Sequence, residues 1–383
     1  MERIKKLVKL IKKLVISDAF NNAMSSIFAI LIGLLFGFII LLISNPSQAA
    51  EGLVIILKGG FSTGGKGMGQ VLYFATPLIL TGLSVGFAFK TGLFNIGAAG
   101  QFIMGAFAAI YVGVKWTFLP APIHWIAALL AAAVIGGLWA LIPGLMKAYL
   151  NVHEVISTIM MNYIGMYMAN YLVKLTVYDS LKTQSLNIAT TCVLPKMGLD
   201  DIFYNSLGGG KDLSTVNCGI YIAIIIAIIM YVLLNKTTFG YELKACGYNA
   251  DASRYAGINE KRNIVLSMVI AGALSGLGGG LLYLSGASGR HIKVVDMLAS
   301  EGFNGIPVAL LGLSNPIGII FSAIFISYIT QGGNYLQRLD YAPEIIEMII
   351  ACIIYFSAFS LILRRIIPSI IKHKAESKKG GEK

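Results

Sequence analysis

Charge is scarce in this 383-residue sequence. Asp, Glu, Lys and Arg together supply 13% of it, about half the share usual in soluble domains. With 56% hydrophobic residues and a mean hydropathy of +0.76, it holds more apolar surface than one aqueous core could cover. Lipid must therefore be part of its solvent. Metal and redox motifs are missing as well: Cys192, Cys218, Cys246 and Cys352 show neither CxxC nor Cys/His spacing. Cys192 and Cys218 share one loop, which leaves a disulfide between them open.

The long apolar runs also lack ionisable groups. Candidate spans are 25–43, 70–89, 93–113, 123–142, 153–174, 219–234, 262–287, 302–313, 316–332 and 345–363. Most approach the ~20 apolar residues that a helix needs to cross a ~30 Å hydrocarbon core with its backbone satisfied. The expected fold is an all-α polytopic membrane protein of about ten transmembrane helices. The segment 302–313 is short and is followed by Ser314-Asn315-Pro316, so it reads as a broken or half-membrane helix. Away from span ends these helices hold no Asp, Glu, Lys, Arg or His. Proton-coupled carriers and voltage sensors need such groups, so both classes are disfavoured, while sodium coupling through hydroxyls and carbonyls stays open. A charged solute would also want a counter-charge, so the expected solute is neutral and polar.

The basic residues bunch at the chain ends and in a few connections, which marks topology and not a nucleic-acid surface. With both termini cytoplasmic, segments 1–24, 90–92, 143–152, 235–261 and 364–383 and their boundary residues carry 20 of the 30 Lys and Arg. They carry 8 of the 18 Asp and Glu, so the whole net charge of +12 falls on the cytoplasmic side. The expected organisation is a basic segment 1–24, a transmembrane region 25–363 and a basic tail 364–383. Residues 3–15 read as an amphipathic helix on the anionic membrane surface. The run 27–43 resembles a signal peptide but is too long for most, and reads as an uncleaved span. The connection 175–218 is the largest exterior one and includes Gly208-Gly209-Gly210; it either meets a partner or caps the bundle.

Glycines recur at small-xxx-small spacing, as in Gly97, Gly100 and Gly105, or Gly272, Gly276, Gly279 and Gly280, which suits close helix packing in lipid. The amides and aromatics at membrane depth are Phe87, Phe94, Asn95, Gln101, Asn162, Phe303 and Asn304. Amides bond hydroxyls and base edges, and aromatic faces stack on rings, so these are the candidate contacts along a solute path. For any one of them, an interhelical hydrogen bond or simple helix packing is the better reading. The run from Gly60 to Lys66 satisfies GxxxxGK, but Gly67 stands where a phosphate loop needs Ser or Thr, and no strand precedes it. No catalytic residue, cofactor or metal ligand is expected, and any ATPase would be a separate polypeptide.

The cytoplasmic stretch 235–261 is the most distinctive polar one. Ala245, Ala252, Tyr255 and Ala256 offer a small, mostly apolar surface between basic flanks, with Gly247 and Gly257 as breaks. TTFGYELKACGYNADASRYAGINEKR from Thr237 resembles the coupling-helix motif of ABC importer permeases in the ribose, nucleoside and branched-chain amino acid superfamily. GLSVGFAFKTGLFNIGAAGQFIMGA from Gly82, NVHEVISTIMMNYI from Asn151 and EGFNGIPVALLGLSNPIG from Glu301 resemble the same superfamily, in the expected order, over roughly residues 70–365. The nucleoside or simple-sugar branch is the most similar. Two departures are His153, where Asn is commoner, and Ala99, where an acidic residue is usual.

The resemblance implies a noncatalytic permease subunit of an ATP-driven importer, with two pseudo-symmetric halves containing broken helices. Its implied partners are ABC ATPase subunits, a second, homologous permease and an extracellular or periplasmic substrate-binding protein, all in the cytoplasmic membrane or at it. By the same resemblance, Glu242 to Gly257, including Asn249, would dock in the ATPase. Phe94-Asn95-Ile96-Gly97 and Phe303-Asn304-Gly305 would line the path. Nucleosides are the expected cargo, with ribose or another simple sugar, a branched-chain amino acid, or sodium-coupled carriage as alternatives.

Overall fold

The computed structural model describes residues 18–203, 214–285, 290–339 and 341–358. The expected amphipathic helix over 3–15, the run Gly208–Gly210 and the tail 364–383 lie outside the described residues. In chain order the helices are α1 Asp18–Ser44, α2 Ala49–Lys58, α3 Gly65–Lys90, α4 Ala98–Lys115, α5 Ala121–Leu150 and α6 Glu154–Thr176. The 175–218 connection holds a hairpin of β1 Tyr178–Asp179 and β2 Gln184–Ser185, then the single turn α7 Leu199–Ile202. After it come α8 Gly219–Lys236, α9 Thr238–Tyr248, α10 Ala250–Tyr255, α11 Glu260–Tyr283, α12 Ser300–Phe303, α13 Gly305–Leu311, α14 Pro316–Asn334 and α15 Pro343–Ala358.

Six helices among the described residues are long and apolar enough to cross a membrane: α3, α4, α5, α8, α11 and Pro316–Leu339. The chain is thus an all-α membrane protein. The other four expected spans are not among these six. The apolar part of α1 is Ile30–Ser44; α6 has 23 residues but a more polar composition; 302–313 is broken at Asn304; and α15 is described only to Ala358.

The chain divides into two compact units, Met1–Leu57 with Gly333–Lys383, and Lys58–Gly332. In the first, α1 meets α15 through a glycine pair one turn apart. A Cβ on Gly33 would fall 2.5 Å from the Ile353 Cα, and one on Gly37 2.8 Å from Ile349 Cγ2, so the missing side chains form the groove that receives both isoleucines. The Tyr341 hydroxyl donates to the Asn45 carbonyl at 3.0 Å.

In the second unit α11 is the central helix, packed on α3, α4 and α5. Its glycines do what small-xxx-small spacing promised: Gly276 faces the backbones of Gly105 and Gly136, and Gly279 faces the Phe102 carbonyl. A side chain at any of them would force these helices apart. The GxxxxGK run forms a 3-10 turn, Gly59–Thr63, leading into α3 with no strand before it.

Candidate functional site

The turn between α3 and α4 organises the membrane-depth amides. Thr91 closes α3 by donating its hydroxyl to the Ala88 carbonyl at 2.9 Å, and it also hydrogen-bonds the Ser267 hydroxyl on α11. Gly92, at φ +75°, then reverses the chain in a conformation that glycine adopts without strain. Residues 93–97 are not helical, and α4 begins only at Ala98, five residues later than the expected span. Asn95 donates to Gln101 Oε1 at 2.8 Å and Gln101 donates back to Asn95 Oδ1 at 3.1 Å, a reciprocal amide pair. Asn95 also reaches Ser84 Oγ at 3.3 Å. From α6, Asn162 donates to the Ile96 carbonyl at 3.0 Å and accepts from the Gly100 amide at 2.8 Å. All three amide side chains are at most 1% exposed. The two Asn162 bonds satisfy backbone groups that the non-helical stretch and the first turn of α4 leave open, while Asn95 and Gln101 satisfy each other.

The second broken helix meets this turn. Gly302, in α12, lies so close to Ala99 that a Cβ would collide with its backbone, and a Cβ on Gly305 would fall 2.6 Å from the Thr81 carbonyl carbon. Asn304, between α12 and α13, is therefore held beside α3 and the start of α4, with its own side chain exposed. Phe94 and Phe303 are half-buried, and Phe94 packs on Phe89 with ring centroids 5.0 Å apart. Phe87 is buried at 2% exposure within α3. The structure thus pairs Asn95 with Gln101 directly, ties Asn162 to the backbone of the same turn, seats Asn304 beside α3 and the start of α4 through its flanking glycines, and leaves Phe87 in the helix packing. The hydroxyls of Ser84, Ser267 and Ser275, the last bonded to the Ala98 carbonyl at 2.7 Å, complete the network. Sequence reasoning missed them because a serine in an apolar helix gives no sign of which neighbour it faces.

In the 235–261 connection two helices form. Thr237 caps α9 by accepting from the Gly240 amide at 3.0 Å, and Asn249 caps α10 by accepting from the Ala252 amide at 2.9 Å. The break is therefore at Asn249. Gly247, expected as a break, is inside α9, where its missing side chain allows α9 to touch the α3–α4 turn. A Cβ there would fall 2.5 Å from the Thr91 carbonyl carbon and 2.6 Å from the Gly92 nitrogen. Gly257, at φ +81°, does end the segment after α10. Asn249, Ala252, Tyr255, Ala256 and Gly257 are exposed, Tyr255 at 96%, whereas Glu242 and Ala245 are half-buried. Tyr248, which the sequence pattern did not single out, is 91% exposed.

His153, one of the departures noted in the sequence, caps α6 by accepting from the Val155 amide at 3.3 Å, the same service an Asn would perform. Beside it Glu154 pairs with Lys147 at 2.9 Å. In the 175–218 connection, the Ser185 amide donates to the Ile292 carbonyl at 2.8 Å and the Leu194 amide to the Leu284 carbonyl at 3.0 Å, so the connection is tied onto the segment that follows α11. Cys192 and Cys218 are buried free thiols. Burial pushes them up to about 12 and about 11.

A family model described as the permease component of the branched-chain amino acid transport system matches residues 67–358. The chain belongs to this permease family. Among relatives of this permease, the guanosine ABC transporter permease protein NupP of Bacillus subtilis strain 168 is 38% identical over 356 residues, 93% of this chain and 98% of the relative. The nucleoside ABC transporter permease protein NupB of Lactococcus lactis subsp. cremoris strain MG1363 is 36% identical over 371 residues, 95% and 100% of the two chains. A second guanosine permease protein of Bacillus subtilis strain 168, NupQ, is 27% identical over 268 residues, 67% of this chain and 78% of that one. No solved structure matches the chain significantly.

Proposed function

We propose that this permease is the nucleoside-carrying membrane subunit of an ATP-driven ABC importer in the cytoplasmic membrane. The observation that carries the reading is the 38% and 36% identity to guanosine and nucleoside permeases over more than nine tenths of the chain. Its partners are ABC ATPase subunits, a second homologous permease and an extracellular or periplasmic substrate-binding protein. ATP binding and hydrolysis in the partner subunits shift the permease between inward-open and outward-open arrangements by their differential affinity for the two.

The residues divide by role. The exposed surface of Asn249, Ala252, Tyr255, Ala256 and Gly257 docks on the ATPase, with Glu242, Ala245 and Gly247 beneath it setting its position. The 91–97 turn receives the motion through the α9 contact. Asn304, with the rings of Phe94 and Phe303, meets the solute, while Asn95, Gln101 and Asn162 hold the turn from behind. Phe87 supports it from within α3. About ten spans, in two pseudo-symmetric halves with cytoplasmic termini, accommodate this arrangement. They make up the transmembrane region 25–363, between the basic segment 1–24 and the basic tail 364–383.

Competition uptake by the assembled complex in proteoliposomes tests the reading. Guanosine and other purine nucleosides, or pyrimidine nucleosides, are expected to block labelled-nucleoside uptake, and ribose and leucine are not. Competition by leucine or ribose alone would replace the cargo. Uptake by this chain alone under a sodium gradient would overturn the ATP-driven mechanism.

A further inference from the structure

Along their length, α5 and α8 face outward with aliphatic side chains. On α5 the exposed positions include Leu130, Val134 and Leu138, and on α8 Ile225 and Ile229; tyrosine enters these faces only near a helix end, as Tyr149 and Tyr221. Such faces suit hydrocarbon. The exposed face of α6 mixes such residues, Ile156, Met160, Ile164 and Met168, with a row of tyrosines. Tyr163, Tyr167 and Tyr171 are 49%, 56% and 61% exposed, and their four-residue spacing stacks them in one row. Tyr167 stands nine residues from the Thr176 end and thirteen from the Glu154 end, so at ~1.5 Å rise per residue it is roughly 13 Å from the nearer terminus. A tyrosine side chain is too short to bring its hydroxyl from there to the headgroups. None of the three hydroxyls bonds another described residue, and facing lipid they would forgo hydrogen bonds altogether.

The opposite side of α6 is already committed. Asn162 is bonded to the 96–100 backbone, and Asn170 donates to the Val295 carbonyl and to Asp296 Oδ1, both at 3.0 Å. The buried amides are thus satisfied by protein, and the tyrosine row is the unsatisfied polar surface of a helix that is otherwise of spanning length. Its chemistry suits an uncharged cargo with a planar ring: aromatic faces stack on a base, and phenols both donate and accept.

We propose that Tyr163, Tyr167 and Tyr171 form one wall of the solute path, a stacking surface for the nucleobase, with a second permease subunit as the facing wall. The proposal rests on the nucleoside-permease reading. A two-permease assembly is supported by NupP and NupQ, two guanosine permease proteins of one organism that are both similar to this chain.

The test uses the assembled complex in proteoliposomes, comparing Tyr167→Cys with Ile225→Cys. The readout is labelling by a charged, water-soluble thiol reagent above the baseline set by the native cysteines. Thiolate forms in water and not in hydrocarbon, so labelling at Tyr167→Cys is expected to be at least ~10-fold faster than at Ile225→Cys. Guanosine is expected to slow it. Equal, slow labelling at both positions would place the row in lipid and overturn the proposal; fast labelling that guanosine leaves unchanged would remove the solute from the row. Because base stacking rests on the ring, Tyr167→Leu is expected to lower guanosine uptake ~10-fold or more, while Tyr167→Phe keeps most of it. Full uptake by Tyr167→Leu would count against the wall. Should the wild-type complex carry no nucleoside, the substrate reading fails, and the labelling contrast, read without guanosine, still decides whether the row faces water.

Discussion

Asn95 and Gln101 satisfy each other across 2.8 and 3.1 Å while almost fully buried, which makes them sensitive to truncation in a way that exposed Asn304 is not. Replacing Asn95 with Leu leaves the Gln101 amide buried without its partner, at a cost of about 1–3 kcal/mol. The expected outcome is a lower midpoint of thermal unfolding in detergent together with lower uptake. Asn304→Leu orphans no buried group, so uptake is expected to fall while assembly and unfolding midpoint stay near wild type. A pronounced drop in its unfolding midpoint would contradict that division of roles. Cys192 and Cys218 allow a sharper check. With thiols pushed up to about 12 and about 11 by burial, both are protonated at pH 8, and the thiol form does not alkylate. Iodoacetamide at pH 8 should therefore leave both unmodified in the native protein and modify both after denaturation, as mass spectrometry of the peptides would report.

Among the elements, the contact between α9 and the 91–92 turn changes what a substitution at Gly247 means. The sequence pattern read Gly247 as a break exposed to a partner; the structure turns its missing Cβ inward against Thr91 and Gly92. Gly247→Val is therefore expected to leave ATPase binding through the exposed α10 surface largely in place and to raise the ATP hydrolysed per solute carried. Either side chain pushes α9 off the turn, since a Cβ alone would lie 2.5 Å from the Thr91 carbonyl carbon; the longer, charged side chain of Gly247→Arg moves it further and is expected to lose ATPase association as well. Co-purification and an ATP-to-uptake ratio separate the two, and a wild-type ratio in Gly247→Val would dismiss the contact as a transmission point. That 302–313 is no plain span and that α11 packs through glycines were legible because a short apolar run before Ser314-Asn315-Pro316 and regular small-residue spacing are local signals, whereas the break at Asn304 itself was implied only by the family resemblance. The late start of α4, the split at Asn249 and the extra helix α2 were not. Each depends on where a capping side chain or a backbone contact falls, and periodicity carries no such information. The amides were legible as polar groups at depth, but their mutual pairing needed the fold that sets Asn95 beside Gln101.

At the scale of the whole molecule, the proposed orientation rests on charge. The segments assigned to the cytoplasm hold 20 of the 30 Lys and Arg, and short basic connections resist translocation. The same orientation puts α9 and α10 where an ATPase could reach them and the 175–218 connection where a binding protein could. A fluorescent protein fused after Lys383 is thus expected to mature and fluoresce, and an alkaline phosphatase inserted within 204–213 is expected to be active only because that segment is exported. The reverse pattern would place the α9–α10 surface outside the cell, out of reach of ATP, so this one measurement carries both the topology and the assignment of the coupling surface.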